Sequence, residues 1–344
     1  MQARRQWCRR ALNVNGVKIE MTYGVKRVAY AALLLAAVLP LSAQAEQYPS
    51  QDIHFICAFP PGSGADVLVR YFAEQVRPLT GKNIIIENKS GAGGNIAMEY
   101  VSKQKPDGYT IFVHAGSGVA AAMSLYKRPP FPDAGKAIQI AGTINRQPFM
   151  LVVDAKSPYK TTAELTEAMK KKGDKATYAT AAPTGTVMGE LYKVATGVKA
   201  VEVNYKNAVD SLNDQLSGAI DYGMHDPVYS LAQQREGRLH ILGVSTGQRL
   251  DATPDLPTMT EQGVSMDLTG WWAAMVPQGT PKDVVDQINK WFVTVVGSPD
   301  TKAFLNKFGG DPLIETPDQG QARMLNDVEN WKRYIGVAKI EPQG

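Results

Sequence analysis

The chain has 344 residues, 44% hydrophobic and 20% charged, and this length favours two domains over one small core. Its formal net charge of +4 arises at the N-terminus, because residues 1–45 hold seven basic side chains and one acidic one. Without that segment the net charge is near −2, which argues against a nucleic-acid-binding protein or a basic membrane-binding surface.

The N-terminal segment has the pattern of a secretory signal peptide. Two basic residues precede an apolar run of 14 residues, 28–41, which ends in Ala43-Gln44-Ala45. The run is shorter than the roughly 20 apolar residues that a membrane-spanning helix needs, although an uncleaved anchor is the alternative. Cleavage is predicted after Ala45, with Met1 or Met21 as the start. We expect the mature protein in the periplasm if the source is Gram-negative.

Cysteine content limits how the exported chain can be stabilised. Cleavage would leave one cysteine, Cys57, which has no partner for an internal disulfide. It lies among apolar residues and is expected to be a small buried side chain. Since no cysteine directly follows the cleavage site, a lipid anchor is not expected.

Apolar strands alternate with amphipathic helices along the rest of the chain. Strands are predicted at 52–58, 83–87, 109–114, 149–153, 176–179, 200–203, 219–224 and 240–244. Helices are predicted at 66–78, 94–103, 161–172, 185–196, 209–217, 228–236, 281–296, 300–308 and 317–334. This α/β pattern predicts mainly parallel sheets covered by helices, with ligands bound beyond the carboxyl ends of the strands.

Residues 59–66, Phe-Pro-Pro-Gly-Ser-Gly-Ala-Asp, connect the first strand to the first helix and are called loop 1. Glycines let backbone N–H groups close around a ligand, and the start of a helix adds partial positive charge. Loop 1 is therefore predicted to bind an anion. The residues expected at the ligand are Phe59, Pro60, Gly62, Ser63, Gly64 and Asp66. Asp66 alternatively caps the helix.

A second connection of the same kind is predicted at residues 180–186, Thr-Ala-Ala-Pro-Thr-Gly-Thr, called loop 2. A third small-residue connection, 115–118, follows the strand at 109–114 and is expected to be a loop. Two such loops from separate sheets, facing each other, would form a cleft. The residues expected at the ligand are Ser117, Thr180, Ala181, Thr184, Gly185 and Thr186.

Enzyme patterns are incomplete. Residues 116–121 match the dinucleotide fingerprint G-x-G-x-x-A, but no acidic residue closes the next strand at the required spacing. The four histidines lack metal-site spacing, so neither a metal nor a cofactor is predicted. Ser63 and Ser117 lie in Gly-Ser-Gly rather than in a nucleophile motif. A binding protein is expected, and an exported hydrolase using one of these serines is the alternative.

Several motifs occur in an order that resembles the solute receptors of tripartite tricarboxylate transporters, the Bug family. They are Tyr48-Pro49, loop 1, the ENKSGAGGNI stretch at 87–96, PDGYT at 106–110, LYK at 125–127, NYK at 204–206, GAID at 218–221 and PDLPTMTEQG at 254–263. The similarity extends from residue 46 to about residue 335. This chain departs from the family pattern at Ser63 and Ala65, and loop 2 is more apolar than usual.

The resemblance implies a two-lobed type II periplasmic binding protein with a central cleft that closes on the ligand. Lobe one would comprise 46–145 and 248–344, and lobe two 146–247, with crossovers near 143–147 and 244–249. The implied ligand is a small carboxylate, aromatic or dicarboxylic. The implied partners are the membrane components of such a transporter or a sensor, and a monomer is expected. Matching family motifs adds Tyr205 and Asp226 to the ligand-binding residues.

Overall fold

The computed structural model describes residues 48–344, together with two short antiparallel strands, Leu12–Val14 (β1) and Val17–Ile19 (β2). The predicted signal peptide and its cleavage site lie outside the described residues. From residue 48 onward the chain forms two β-sheets with helices packed on them. The α/β fold class predicted from the sequence is therefore confirmed.

The first sheet has six strands. They are Ile53–Cys57 (β3), Ile84–Asn88 (β4), Thr110–Ala115 (β5), Ile138–Pro148 (β6), Thr269–Pro277 (β12) and Asp311–Pro312 (β13). Their order across the sheet is β13-β6-β12-β5-β3-β4. β3 pairs in parallel with β4 and β5, so the carboxyl ends of these three strands lie at one edge.

The second sheet has five strands, which are Met150–Asp154 (β7), Thr177–Thr180 (β8), Val201–Asn204 (β9), Tyr222–His225 (β10) and Leu239–Val244 (β11). Their order is β11-β7-β10-β8-β9, and β8 is parallel to both of its neighbours. The expectation of mainly parallel sheets is wrong for the remaining pairs. β7 is antiparallel to β10 and β11, and β12 is antiparallel to β5 and β6.

The helices are Gly64–Thr80 (α1), Asn95–Ser102 (α2), Gly116–Leu125 (α3), Ala134–Ala137 (α4), Thr162–Lys172 (α5), Pro183–Thr196 (α6), Leu212–Leu216 (α7), Pro227–Arg235 (α8), Lys282–Val296 (α9), Pro299–Lys307 (α10) and Pro317–Val337 (α11). Every predicted helix and strand has a counterpart within a few residues of its predicted bounds. The elements α3, α4, β6, β12 and β13 were not predicted. Residues 116–118, expected to be a loop, instead begin α3.

The chain passes from one sheet to the other twice. β6 ends at Pro148 and β7 begins at Met150, so the chain crosses at Phe149. The buried Ser245 hydroxyl accepts a hydrogen bond from Phe149 N at 2.9 Å and donates one to Leu268 O at 2.5 Å. The Ser245 hydroxyl therefore joins the two places where the chain passes between the sheets, Phe149 and the connection 245–268. The lobe boundaries given above stay a prediction.

Buried side chains of both sheets belong to one continuous apolar cluster. It includes Phe112 and Met275 of the first sheet, and Leu151 and Tyr178 of the second. The C-terminal helix α11 contacts α3 and β6 and also reaches α6, which covers the second sheet.

Candidate functional site

Loop 1 ends in a capped helix. Ser63 is the N-cap of α1, and its hydroxyl accepts a hydrogen bond from Asp66 N at 3.2 Å and donates one to Pro60 O at 2.8 Å. Gly62 has φ of +80°, a conformation that favours glycine. The sequence offered Asp66 as the cap, but the structure assigns that role to Ser63.

The buried Asp66 carboxylate stabilises the conformation of loop 1. Its side chain is 1% exposed, and its carboxylate accepts hydrogen bonds from Gly62 N at 2.8 Å, Arg70 Nε at 2.7 Å and Asn88 Nδ2 at 2.8 Å. Burial alone would raise the pKa of Asp66, but these three donors outweigh it and hold the pKa below its usual range. The Gly62 N–H, predicted to face the ligand, is therefore directed at Asp66.

Two backbone donors in the first turn of α1 stay free. A helix leaves its first N–H groups without intrahelical acceptors. In α1 the N–H groups of Ser63 and Asp66 are bonded within the loop, whereas those of Gly64 and Ala65 have no acceptor among residues 48–344. Gly64 and Ala65 are half-buried. They provide two adjacent N–H groups at the positive end of a 17-residue helix.

Loop 2 is organised around a carboxylate that the sequence analysis did not identify. The hydroxyls of Thr180 and Thr186 both lie 2.5 Å from the same oxygen, Oε1 of Glu202 on β9. Asn204 Nδ2 donates to Thr180 Oγ1 at 3.1 Å. Since a carboxylate can only accept, both threonine hydroxyls point their hydrogens at Glu202.

α6 begins within loop 2 and has no side-chain cap. Ala182 is the N-cap, and its carbonyl accepts from Gly185 N at 2.9 Å and Thr186 N at 3.2 Å. A Cβ on Gly185 would lie 2.6 Å from Met224 O, so only glycine lets the loop pack this closely on β10. Ala181 and Thr184 are half-buried at the surface of the loop.

The structure brings helix starts of the two sheets together. A Cβ built on Gly64 of loop 1 would lie 2.5 Å from Val228 Cγ1, in the first turn of α8 on the second sheet. A Cβ built on Gly93 would lie 3.6 Å from Pro183 Cγ of loop 2. Loop 1 therefore faces the start of α8, and the glycine-rich segment before α2 faces loop 2.

Tyr205 and Asp226 lie at strand ends of the second sheet, and each has an internal partner. The Tyr205 hydroxyl donates to Asp214 Oδ2 at 2.6 Å, and burial together with this carboxylate raises the pKa of Tyr205 to about 12. Asp226 is the N-cap of α8 and accepts from Tyr229 N at 3.0 Å. Burial raises the pKa of Asp226 despite the backbone donors around it.

Phe59 and Ser117, also predicted to contact the ligand, pack against other side chains of the first sheet and its helices. The half-buried Phe59 ring packs against His114 and Trp272 at centroid distances of 5.3 and 6.0 Å. Ser117 is buried in the first turn of α3. The structure thus brings loop 1 to the start of α8 and the glycine-rich segment before α2 to loop 2, whereas Ser117 is buried within its helix.

The family of this chain follows from its sequence. The model of the family described as "Tripartite tricarboxylate transporter family receptor" (TctC) matches residues 68–339. The chain belongs to this receptor family. The resemblance noted from the motifs is thereby confirmed.

Relatives of this TctC receptor match it over nearly their whole length. A UPF0065 protein of Bordetella pertussis is 30% identical over 309 residues, 89% of this chain and 94% of that protein. Rpa4515 of R. palustris, solved with adipate, is 27% identical with a TM-score of 0.80, covering 86% of this chain and 100% of its own. The periplasmic binding protein BugD is 28% identical with a TM-score of 0.77 at the same coverage.

Two surface cavities of the receptor lie away from loops 1 and 2. One of about 730 Å³ opens where β3 and β5 begin, at the opposite edge of the first sheet, and is lined in part by His54, Lys105 and Asp107. One of about 340 Å³ adjoins it near the end of α1. Within the described residues, no cluster of metal-binding side chains is found and no helix is long and apolar enough to span a bilayer.

Proposed function

We propose that this TctC receptor binds a small carboxylate between loop 1 and the helix starts of the second sheet. The observation that carries the proposal is the pair of free N–H groups on Gly64 and Ala65, next to the point where Gly64 packs against Val228 of the second sheet. Two parallel N–H donors suit the two oxygens of a carboxylate. The adipate bound to Rpa4515, a relative of the same fold, supports a carboxylate as the ligand class.

The energetics fit a receptor that has to release its ligand. Hydrogen bonds to a charged group contribute about 1.5–3 kcal/mol each. Two such bonds, the positive end of α1 and apolar contact with Phe59 and Val228 are consistent with affinity of about −8 kcal/mol, near micromolar. Aromatic and dicarboxylic acids both remain within the proposed class.

Membership of the receptor family supports a proposal for the cellular location and the partner of this protein. We propose that the receptor works in the periplasm, as the names of relatives such as BugD state for those proteins. There it would deliver its ligand to the membrane components of a tripartite tricarboxylate transporter, with presentation to a sensor as the other possible role. A monomer suffices for the proposed site, because the gap is formed within one chain.

Closure of the gap is part of the proposal. The chain passes between the sheets at Phe149 and through residues 245–268, and the proposed hinge rotation would act at these two connections. A ligand that contacts loop 1 and the second sheet together would favour the closed arrangement. The proposed contacts are the N–H groups of Gly64 and Ala65 in loop 1 and of Thr184 in loop 2, none of which has an acceptor among residues 48–344.

The surroundings of Ser63 and Ser117 do not support the alternative function, an exported hydrolase. A serine nucleophile needs a base within hydrogen-bond reach. The Ser63 hydroxyl donates to Pro60 O, and Ser117 is buried. Neither serine is hydrogen-bonded to a histidine in the part of the chain that the structure describes.

A ligand screen tests the proposal. We expect at least one acid from a panel of aliphatic mono-, di- and tricarboxylates and benzoates to raise the melting temperature. At a concentration 100 times its Kd the ligand adds about 2.7 kcal/mol, which amounts to about 4 °C for a protein of this size. Proton NMR of the mixture should show the acid unconsumed. Turnover of the acid, or no stabilisation by any carboxylate at millimolar concentration, would contradict the proposal.

Changing Gly64 to alanine tests whether loop 1 has to approach α8. The new Cβ would lie 2.5 Å from Val228 Cγ1, so the two elements are forced apart. We expect the affinity for the stabilising acid to fall about tenfold, the scale of a small steric misplacement at a closed site.

The second variant in this test is Val228→Ala. It removes the methyl groups that collide with the new Cβ, so the double variant Gly64→Ala/Val228→Ala should recover most of the affinity. Calorimetry of the wild type, both single variants and the double variant measures the coupling. Additive losses would show that the two residues do not meet in the liganded protein.

A further inference from the structure

His114, near the end of β5, is a buried histidine whose ring makes no hydrogen bond within residues 48–344. It is 2% exposed and packs among the rings of Phe59, Phe112 and Trp272, at centroid distances of 5.3, 4.8 and 5.8 Å. Nδ1 is enclosed and has no partner, whereas Nε2 is not enclosed. Burying a polar ring without partners costs stability, so the fold itself gains nothing from this imidazole.

The His114 ring is neutral at physiological pH, because burial lowers the pKa of His114 to about 3. A neutral imidazole carries one hydrogen, which makes one nitrogen a donor and the other an acceptor. The hydrogen is more stable on Nε2, since enclosed N–H groups without an acceptor are very rare in folded proteins. His114 therefore presents its Nε2–H as a donor that the rest of the described chain does not use.

Two glycines at helix starts lie beside His114 Nε2. A Cβ built on Gly94, the N-cap of α2, would lie 3.3 Å from this nitrogen, and one built on Gly118, in the first turn of α3, would lie 3.4 Å from it. Glycine at both positions leaves Nε2 free of a covering side chain. The helix starts add partial positive charge on either side of the donor, which favours a negatively charged acceptor.

The surroundings of His114 adjoin both loops of the proposed site. β3 and β5 are parallel neighbours, so His114 lies at the same edge of the sheet as loop 1, which follows β3. The Phe59 ring of loop 1 packs directly on the His114 ring. On the other side, a Cβ built on Gly93, in the segment before α2, would lie 3.6 Å from Pro183 Cγ of loop 2.

We propose that His114 is a ligand-binding residue of this receptor, and that its Nε2–H donates to an oxygen of the bound acid between the starts of α2 and α3. The contact would add a side-chain donor to the backbone donors of Gly64, Ala65 and Thr184. A neutral donor suits a receptor that has to release its ligand, because it holds a carboxylate without forming an ion pair. This role rests on the proposed carboxylate-binding function.

Replacing His114 with leucine separates ligand binding from packing. Leucine has a similar volume and no polar atom, so the melting temperature should stay the same or rise, because no hydrogen bond within the protein is lost. The probes are succinate, malate, adipate and benzoate. For the probe that the wild type binds most tightly, calorimetry should show an affinity loss of at least about tenfold, the scale of one hydrogen bond to a charged group.

His114→Gln is the conservative variant, because the glutamine Nε2 can donate from nearly the place of the histidine Nε2. We expect it to bind the same probe at least about threefold more tightly than His114→Leu does. Nitrogen NMR of the histidine side chains gives a direct readout in the wild type. The Nε2 signal of His114, identified by its absence from His114→Gln, should shift when the acid is added, whereas that of His240 on β11 should not.

Gly118→Ala covers the donor without changing the histidine. Gly118 is helical and its φ is not positive, so alanine is accepted there and favours the helix. The new methyl group would lie 3.4 Å from His114 Nε2, and we expect the affinity to fall about tenfold with no loss of stability. The matched control is Gly336→Ala in α11, where a Cβ would meet nothing within 4 Å and the affinity should stay unchanged.

The possible results distinguish the role of His114 from the proposed function. Affinity within about threefold of wild type in a folded His114→Leu, or a His114 Nε2 signal unmoved by saturating acid, overturns this role and leaves carboxylate binding intact. A lower melting temperature of His114→Leu together with weaker binding would assign His114 to packing instead. If His114→Leu does not fold, the NMR signal and Gly118→Ala decide. If the wild type binds none of the probes, the proposed function fails, and the role of His114 fails with it.

Discussion

Replacing Ser63 with aspartate is expected to abolish carboxylate binding, with an affinity loss of at least about a hundredfold. Ser63 caps α1, and the free N–H groups of the next two residues are the proposed anion contacts. Aspartate is as good an N-cap as serine, so α1 should still begin at the same place. Its carboxylate would occupy the positive end of the helix and repel an incoming anion.

The control for this variant is Ser63→Asn. Asparagine has nearly the shape of aspartate and also caps helices well, but it is neutral. Calorimetry with the best acid from the screen should show binding by Ser63→Asn within about tenfold of wild type and none by Ser63→Asp. High salt should not restore the aspartate variant, because a charge at the contact distance is poorly screened. Equal losses in both variants would attribute the effect to shape and argue against loop 1 as the anion site.

Much of the architecture could be predicted because local patterns are strong. β3 and α1 flank loop 1 as expected, since an apolar run of five buried or half-buried residues is followed by a helix that buries one face. The same logic located β8, loop 2 and α6. Strand-to-helix connections of this kind are encoded over about ten residues, and a single sequence carries enough information to place them.

The unpredicted elements lack that local signal. β6 is interrupted by Thr143, Asn145 and Arg146, which break the apolar run although the strand lies inside the sheet between β12 and β13. α3 begins with Gly-Ser-Gly, a tripeptide that is typical of loops. These segments take their structure from neighbours far along the chain, as when β12 pairs with β6 more than 100 residues away.

The direction of the hydrogen bonds in loop 2 could not be predicted from the sequence either, because it depends on a residue that is distant along the chain. The threonine hydroxyls of loop 2 looked like ligand donors in the sequence. Their acceptor, Glu202, lies 22 residues after Thr180 on the neighbouring strand, and only the pairing of β8 with β9 brings them together. Val228, opposite Gly64, was likewise placed by tertiary packing alone.

Replacing Asp66 with alanine is expected to lower the free energy of unfolding by about 2–4 kcal/mol at pH 7. The change removes a buried carboxylate that accepts three hydrogen bonds, from the exposed Gly62 N, from the half-buried Asn88 Nδ2, which keeps its bond to Phe59 O at 2.9 Å, and from Arg70 Nε. Arg70 is half exposed and can turn to water, which keeps the loss below that of a fully buried ion pair. Loop 1 should lose its conformation too, so that binding weakens along with stability.

The pH dependence identifies the carboxylate as the cause. Because the pKa of Asp66 is lowered on folding, its contribution is complete above the unfolded-state pKa of about 3.9 and disappears as the pH falls through the lower folded-state value. Urea unfolding of wild type and Asp66→Ala should therefore differ most at neutral pH and converge in acid. Asp66→Asn, which keeps one acceptor oxygen, should lie between them at pH 7. A difference between wild type and Asp66→Ala that is constant from pH 7 to pH 3 would mean that lost packing, rather than the charged hydrogen bonds of loop 1, sets the cost.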